Sequence, residues 1–251
     1  FSLIHDDIMD EAPLRRGKKT VHHKWDLNTG ILSGDALLIL AYQLFENYEP
    51  QKFNELAKLF SSTALQVCEG QQYDVDFETR NNVTILEYLK MIEYKTAVLL
   101  GAAMKMGAIV AETSEVCKIN TYEFGRNLGI AFQLQDDYLD CFGNPDTFGK
   151  KVGGDIIANK KTFLYLKTLE KSNESDTEIL KQLFSSFPKD PTKKVEQVKK
   201  LYLKSGAAKE SLQEIENYTQ IANNIIKKLD ISGKNKAVLK SFSDQLMNRK
   251  V

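Results

Sequence analysis

The sequence predicts an all-α fold, a single-domain helical bundle around a central cavity. Three observations carry this reading. Apolar residues recur at the 3.6-residue period of a helix. Strand-like alternation is nearly absent. The five prolines (Pro13, Pro50, Pro145, Pro188 and Pro191) all fall between helical patterns rather than inside them. At 251 residues the chain is long enough for a full core and short enough for one domain, taken as 1–251.

The elements come in this order. Residues 1–10 read as the end of a helix, and 11–19, with Pro13 and Gly17, as a loop. Residues 29–47 form a helix whose Ile31, Leu32, Leu37, Leu40, Ala41, Leu44 and Phe45 point inward. Residues 51–77 form another, with Leu56, Leu59, Phe60, Ala64 and Val67 on its core side. Residues 84–111 are helical, and Gly101 and Gly107 suit close packing against a neighbour. Ser114 caps a long helix that ends near Phe142. Residues 143–159 are a loop of Gly, Lys and Asp. Helices over 160–171, 176–187, 191–205, 207–229 and 234–248 complete the chain. Trp25 and most Tyr and Phe residues are expected in the core.

Composition excludes several classes of partner. Lys plus Arg and Asp plus Glu number 34 each, so no net basic field recommends nucleic acid or an anionic membrane. No apolar run reaches the ~18 residues a membrane-spanning helix needs. Cys68, Cys117 and Cys141 are odd in number and form no CxxC pair, which fits the reducing cytoplasm and inert, buried thiols. The first residue is Phe1 and residues 1–4 are already in mid-pattern, so the sequence reads as one that begins inside a longer protein.

The chemistry concentrates in two acidic clusters, DDIMD at 6–10 and DDYLD at 136–140. Asp6 and Asp10 stand four apart, so both carboxylates lie on one helix face. Like charges at that spacing cost a few tenths of a kcal/mol, and a helix C-terminus disfavours anions further. A compensating cation resolves the conflict. Hard oxygen ligands in an incomplete set suit Mg²⁺ shared with phosphate oxygens. Asp136, Asp137 and Asp140 repeat the pattern on the long helix, on the side of Gln133. A lone DDxxD is weak evidence, being often a solvated patch or a cap. Two copies, each after an apolar helical stretch and each before a basic loop, are specific.

The basic partners are Arg15, Arg16, Lys18 and Lys19 after the first cluster, and Lys150, Lys151, Lys160 and Lys161 after the second. Arg forks and Lys point charges grip phosphates. Lys95 and Thr96 lie in an otherwise apolar helix. Spacing leaves open whether Lys95 snorkels to the surface or points into the bundle as a phosphate ligand.

These segments resemble the trans-isoprenyl diphosphate synthases. LIHDDIMDEAPLRRG at 3–17 is similar to that family's first aspartate-rich motif. GQQYD at 70–74, YKTA at 94–97, FQLQDDYLDCFG at 132–143 and FGKKVGGDIIANKKT at 148–162 are similar to its later motifs, in the family's order and over almost the whole chain. The resemblance implies the isoprenoid-synthase-like all-α fold, a homodimer, and three Mg²⁺ bridging an allylic diphosphate. It implies metal binding by Asp6 and Asp10 from one side and by Asp136, with Asp140, from the other; Asp7 and Asp137 stand close by. It implies that Arg15, Lys95, Thr96, Gln133, Lys150 and Lys160 hold the allylic diphosphate, that Arg16 contacts isopentenyl diphosphate, and that Gln71 and Asp74 support the metal site. Asp6, Asp7, Asp10, Lys95, Asp136 and Lys150 are the expected catalytic set. The family's Gly-Gly-Lys-Arg segment, which binds isopentenyl diphosphate, is expected before Phe1 and is absent from this sequence.

The same resemblance sets expectations for product and for rivals. A bulky Phe1, five residues before Asp6, floors the product tunnel while the small Ser2 leaves space beside it. This favours geranylgeranyl diphosphate, with farnesyl diphosphate next. A terpene cyclase usually carries an Asn/Ser/Glu-type second metal motif, whereas DDYLD is fully acidic. A non-catalytic subunit tends to lose one cluster, and both are intact. His5, His22 and His23 make no convincing metal site. His5 either bonds a nearby carboxylate or packs; His22 and His23 belong to a loop.

Overall fold

The computed structural model describes residues 1–144 and 152–248. Helix α1 (Ser2–Met9) leads into a hairpin, β1 (Leu14–Arg15) and β2 (Lys18–Lys19), paired antiparallel with Leu14 opposite Lys19 and Arg15 opposite Lys18. Then come α2 (Val21–Lys24), α3 (Leu27–Gln43), a 3₁₀ turn (Leu44–Asn47), α4 (Pro50–Thr79) and α5 (Ile85–Ile92). A π turn (Glu93–Ala97) joins α5 to α6 (Val98–Val110), and α7 (Glu115–Phe142) comes next. The chain continues with α8 (Gly154–Ile157), α9 (Phe163–Lys171), α10 (Glu174–Phe184), α11 (Thr192–Lys204), α12 (Ala207–Lys228) and α13 (Gly233–Met247).

Capping residues set several boundaries. The Asp26 carboxylate accepts from Thr29 N–H and starts α3 two residues before the expected start. Thr84 and Glu87 form a reciprocal capping box on α5. Ser114 accepts from Cys117 N–H and opens α7 as expected. Pro50 occupies the first turn of α4, where its missing N–H costs nothing.

Helix α7 is the axis of the bundle. Phe124, Leu128, Ala131 and Leu134 are fully buried on it, and it packs against α6, the π turn and α12. Burying one such side chain contributes roughly 1.5–3 kcal/mol. The largest core cluster joins α4, α5, α7, α9, α11 and α12 through residues such as Phe77, Tyr88, Leu134, Phe163, Leu164, Val198 and Tyr202. A second cluster of Phe45, Leu56, Phe60 and Ile109 lies beside Phe1 at the start of α1. Among the described residues, no helix is long and apolar enough to cross a membrane.

Four expectations are corrected. The 11–19 segment contains the hairpin: Arg16 and Gly17 both take positive φ (53° and 74°), the geometry of a two-residue primed turn that matches strand twist. The apolar face of α3 is not buried within the chain. Ile31, Leu32, Leu37, Leu40 and Leu44 are exposed, Ala41 is half-buried and Phe45 is buried; helical periodicity identified an apolar face, but among the described residues no element covers it. Gly107 faces open space, whereas Gly101 does meet Tyr122. Trp25 and Cys68 are exposed, while Cys117 and Cys141 are buried.

Candidate active site

Helix α1 and the hairpin build one wall. Asp10 lies just past α1, its N–H bonded to Asp6 C=O, so Asp6 and Asp10 stay one turn apart. Asp7 is buried, 4% exposed. The primed turn folds Arg15 back over the helix end. Its Nε donates to Asp7 Oδ1 at 2.7 Å and its Nη2 to Asp6 Oδ2 at 3.0 Å. Arg15 therefore braces the first cluster. Arg16 is exposed at the hairpin tip.

Lysines connect this wall to the rest of the bundle. Lys95 points inward: its Nζ donates to Asp74 Oδ2 at 2.6 Å and lies 3.2 Å from Asp6 Oδ1. Lys160 Nζ stands 3.8 Å from Asp74 Oδ2. Asp74, on α4, thus faces two cations, a larger part than the supporting one expected of it. Gln71 Nε2 is buried without a partner one turn before it. Burial alone would depress both lysines. Asp74 and Asp6 outweigh it at Lys95, and Asp74, Asp10, Asp155 and Asp137 outweigh it at Lys160, so both are held above the usual lysine value. Both remain cations at any physiological pH.

The second cluster lines a cavity of ≈ 190 Å³. Its walls include Asp74, Tyr88, Lys95, Thr96, Gln133, Asp136, Asp137, Asp140, Asp155 and Lys160. Asp137 is the buried member; its carboxylate accepts from Tyr88 Oη at 2.6 Å and from Gln133 Nε2 at 2.8 Å. Gln133 Oε1 in turn accepts from Thr96 Oγ1 at 3.2 Å. Asp140 accepts from Asp155 N–H at 3.0 Å and so anchors α8. Asp136 lines the cavity beside them. Desolvation pushes the Asp137 carboxyl up to about 7, opposed by its two hydrogen bonds and reinforced by Asp136. Asp155 is raised in the same direction, by burial and then by Asp137 and Asp140. Asp10 is raised too, first by desolvation.

The donor set fits Mg²⁺. Asp6 Oδ1 is buried and accepts no hydrogen bond, its charge faced by Lys95 Nζ at 3.2 Å, and a hard oxygen so placed is a fitting ligand for a divalent cation. Among the described residues, no group of three His, Cys, Asp or Glu side chains converges into a ready-made cage. Mg²⁺ that keeps water and phosphate oxygens in its shell needs few carboxylates from each cluster.

Of the expected site residues, Lys95, Thr96, Gln133, Asp136, Asp140 and Lys160 line the cavity, and Asp6, Asp7, Asp10 and Arg15 form a cluster joined to it by the Lys95–Asp6 ion pair. Lys150 and Lys151 lie outside the described residues. Lys161 also lines the cavity, but its Nζ donates to the carbonyls of Phe77 and Glu78, closing the end of α4. Tyr88, Asp155 and Thr162 also line the cavity, and sequence reasoning missed all three; only the acidic Asp155 inside a Gly-Lys loop carried a readable signal. His5 bonds the Ile31 carbonyl and lies 3.6 Å from Asp35, not from the acidic cluster. His22 and His23 lie on α2 rather than in a loop, and both ring nitrogens of His22 are buried without partners. Phe1 meets Phe60 edge to face at 6.4 Å, and Ser2 is half-buried beside it.

A helical bundle in which the second acidic cluster and inward lysines line a cavity, with the first acidic cluster tied to it through Lys95, is of the isoprenoid-synthase class. The chain belongs to the polyprenyl synthetase family, whose model matches residues 1–203. It is 41% identical to a short chain isoprenyl diphosphate synthase of Methanothermobacter thermautotrophicus, over 74% of this chain and 58% of that protein. It is similar to a crystal structure of a geranylgeranyl pyrophosphate synthase, with TM-score 0.94 and 55% identity, covering 100% of this chain and 77% of that one. It is also similar to a polyprenyl synthase of Caulobacter crescentus complexed with calcium and isoprenyl diphosphate, with TM-score 0.88 and 27% identity, covering 100% and 75%. The alignments with three curated relatives span 58%, 55% and 49% of their lengths.

Proposed function

We propose that the protein is a cytoplasmic, homodimeric trans-prenyltransferase. It condenses isopentenyl diphosphate with an allylic diphosphate, releases pyrophosphate and makes a short linear prenyl diphosphate, geranylgeranyl diphosphate before farnesyl diphosphate. One observation carries the reading: Lys95 lies between Asp6 and Asp74 at a cavity whose other wall is Asp136, Asp137 and Asp140. That arrangement fits an anionic ligand that brings its own cations. Relatives named as geranylgeranyl diphosphate synthases and the aromatic packing around Phe1 support the product preference.

In this reading Asp6 and Asp10, with Asp136 and Asp140 opposite, hold Mg²⁺; when bound, it supplies charge that stabilises the departing diphosphate. Arg15, Lys95, Lys150, Lys160, Thr96 and Gln133 hold the allylic diphosphate. Arg16, at the open hairpin tip, reaches toward isopentenyl diphosphate. The cations favour heterolysis of the allylic C–O bond. The alkene of isopentenyl diphosphate then forms the new C–C bond, and a proton leaves to the pyrophosphate. The protein itself forms no covalent bond; it orients two substrates and keeps water away from the allylic cation.

Chromatography of products made from radiolabelled isopentenyl diphosphate and each allylic primer tests the assignment. Linear elongated diphosphates are expected; cyclic hydrocarbons would sink it. Asp6→Ala should lower turnover by about 10²-fold or more, and Asp140→Ala by less, because one Asp140 oxygen already serves α8.

A further inference from the structure

Lys95 and Thr96 sit within a π turn, which is an unfavourable place to keep two ligand-binding side chains. Such a turn carries one residue more than the α turn it replaces. Relaxation to α geometry would rotate the downstream helix by about 100°. Something must therefore hold it. Two glycines hold its backbone: a Cβ on Gly70 would run into Lys95 N and lie 2.6 Å from Tyr94 C, and one on Gly129 would lie 2.6 Å from Ala97 Cα. Helices α4 and α7 thus press on the turn from two sides.

The first residue of the turn is held by charge. Arg126, on α7, forks between Glu93 Oε1 at 3.0 Å and Glu123 Oε2 at 2.7 Å. Glu123 belongs to α7 itself, so of the two arms of Arg126 the Glu93 arm reaches the turn, joining the Thr96–Gln133 hydrogen bond in tying α7 to it. None of these three side chains lines the cavity. The Glu93 and Arg126 side chains are 21% and 30% exposed, and a partly exposed pair adds little to stability. Stability alone gives it little purpose beside the apolar contacts already joining α7 to the turn.

We propose that Glu93 and Arg126 are positioning residues for diphosphate binding: their ion pair fixes the π turn so that Lys95 and Thr96 face the cavity. This rests on the site being one that binds a diphosphate.

The test compares wild type with Glu93→Gln, Arg126→Met, the double variant and Arg126→Lys. It uses calorimetric titration of inorganic pyrophosphate in Mg²⁺, KM for both substrates, and thermal melts. Each single variant should weaken pyrophosphate binding and raise the allylic KM by roughly tenfold. The KM for isopentenyl diphosphate should hold, and Tm should move by no more than about 2 °C. The double variant should lose no more than either single one, Arg126→Lys should recover part of the loss, and Glu123→Gln should bind as wild type. Wild-type protein that fails to bind pyrophosphate would sink the diphosphate reading and this inference together. Wild type that binds, with variants that bind equally well, lose both substrates alike or lose additively, sinks the inference alone.

Discussion

Asp137 accepts hydrogen bonds from Tyr88 and Gln133 inside the bundle, and burial still pushes its carboxyl up to about 7. The sign comes from linkage. A carboxyl raised from 3.8 binds a proton more tightly folded than unfolded, so it stabilises the fold below its unfolded value and loses that contribution as pH rises to about 7. Asp155 acts in the same direction. In chelator, the stability of wild type relative to Asp137→Asn should therefore fall by a few kcal/mol between about pH 4 and 7 and level off above. Urea melts across that range measure it; a flat difference would refute the burial argument. At this scale the sequence announced Asp6, Asp10 and Asp136, because two acids one turn apart oppose helix formation unless a cation compensates. It did not announce that Tyr88 bonds an acid 49 positions away, nor that Asp74 draws two lysines, since neither pairing leaves a local pattern.

Helix boundaries were the most legible part of the elements. Ser114 announced a helix start through a side chain that satisfies an exposed N–H group, and the helical pattern from 84 began where the Thr84 capping box lies. The π turn was not legible, because EYKTA contains no glycine or proline; its shape comes from Gly70 and Gly129 on other helices. The hairpin was missed because strands of two residues show no alternation. The glycines make the packing argument quantitative. Gly70→Ala should cost about 1–3 kcal/mol, because backbone must move to admit the methyl. Gly107→Ala, with nothing in reach of its Cβ, should raise stability by about 0.5–1 kcal/mol through helix propensity alone. Equilibrium urea unfolding of the two variants separates them, and equal effects would show that the close approach at Gly70 is not tight.

For the whole molecule, the fold class could be read from periodicity, and the all-α bundle is what forms. The outward apolar face of α3 could not, because periodicity shows that a helix has an apolar face and says nothing about what covers it. Leu32 and Leu40 are 67% and 53% exposed, and they lie eight residues apart on one face of the helix. An apolar stripe of this kind marks an association surface. The proposed homodimer supplies a partner, so Leu32→Asp with Leu40→Asp should shift the mass measured by light scattering from dimer toward monomer. A dimer that survives both changes would place the interface elsewhere.

The aromatic contact at Phe1 has a consequence for how product length would evolve. Phe60 is touched by Phe1, by Tyr42 at 4.9 Å and by Phe45 at 5.5 Å. If this cluster floors the tunnel, truncating Phe1 alone leaves the other rings in place, and truncating Phe60 alone leaves Phe1 free to settle into the gap. Chain length would then be an epistatic trait. Single substitutions would look nearly neutral, longer products would emerge from particular pairs, and lineages could carry the first change silently before the second gave it an effect.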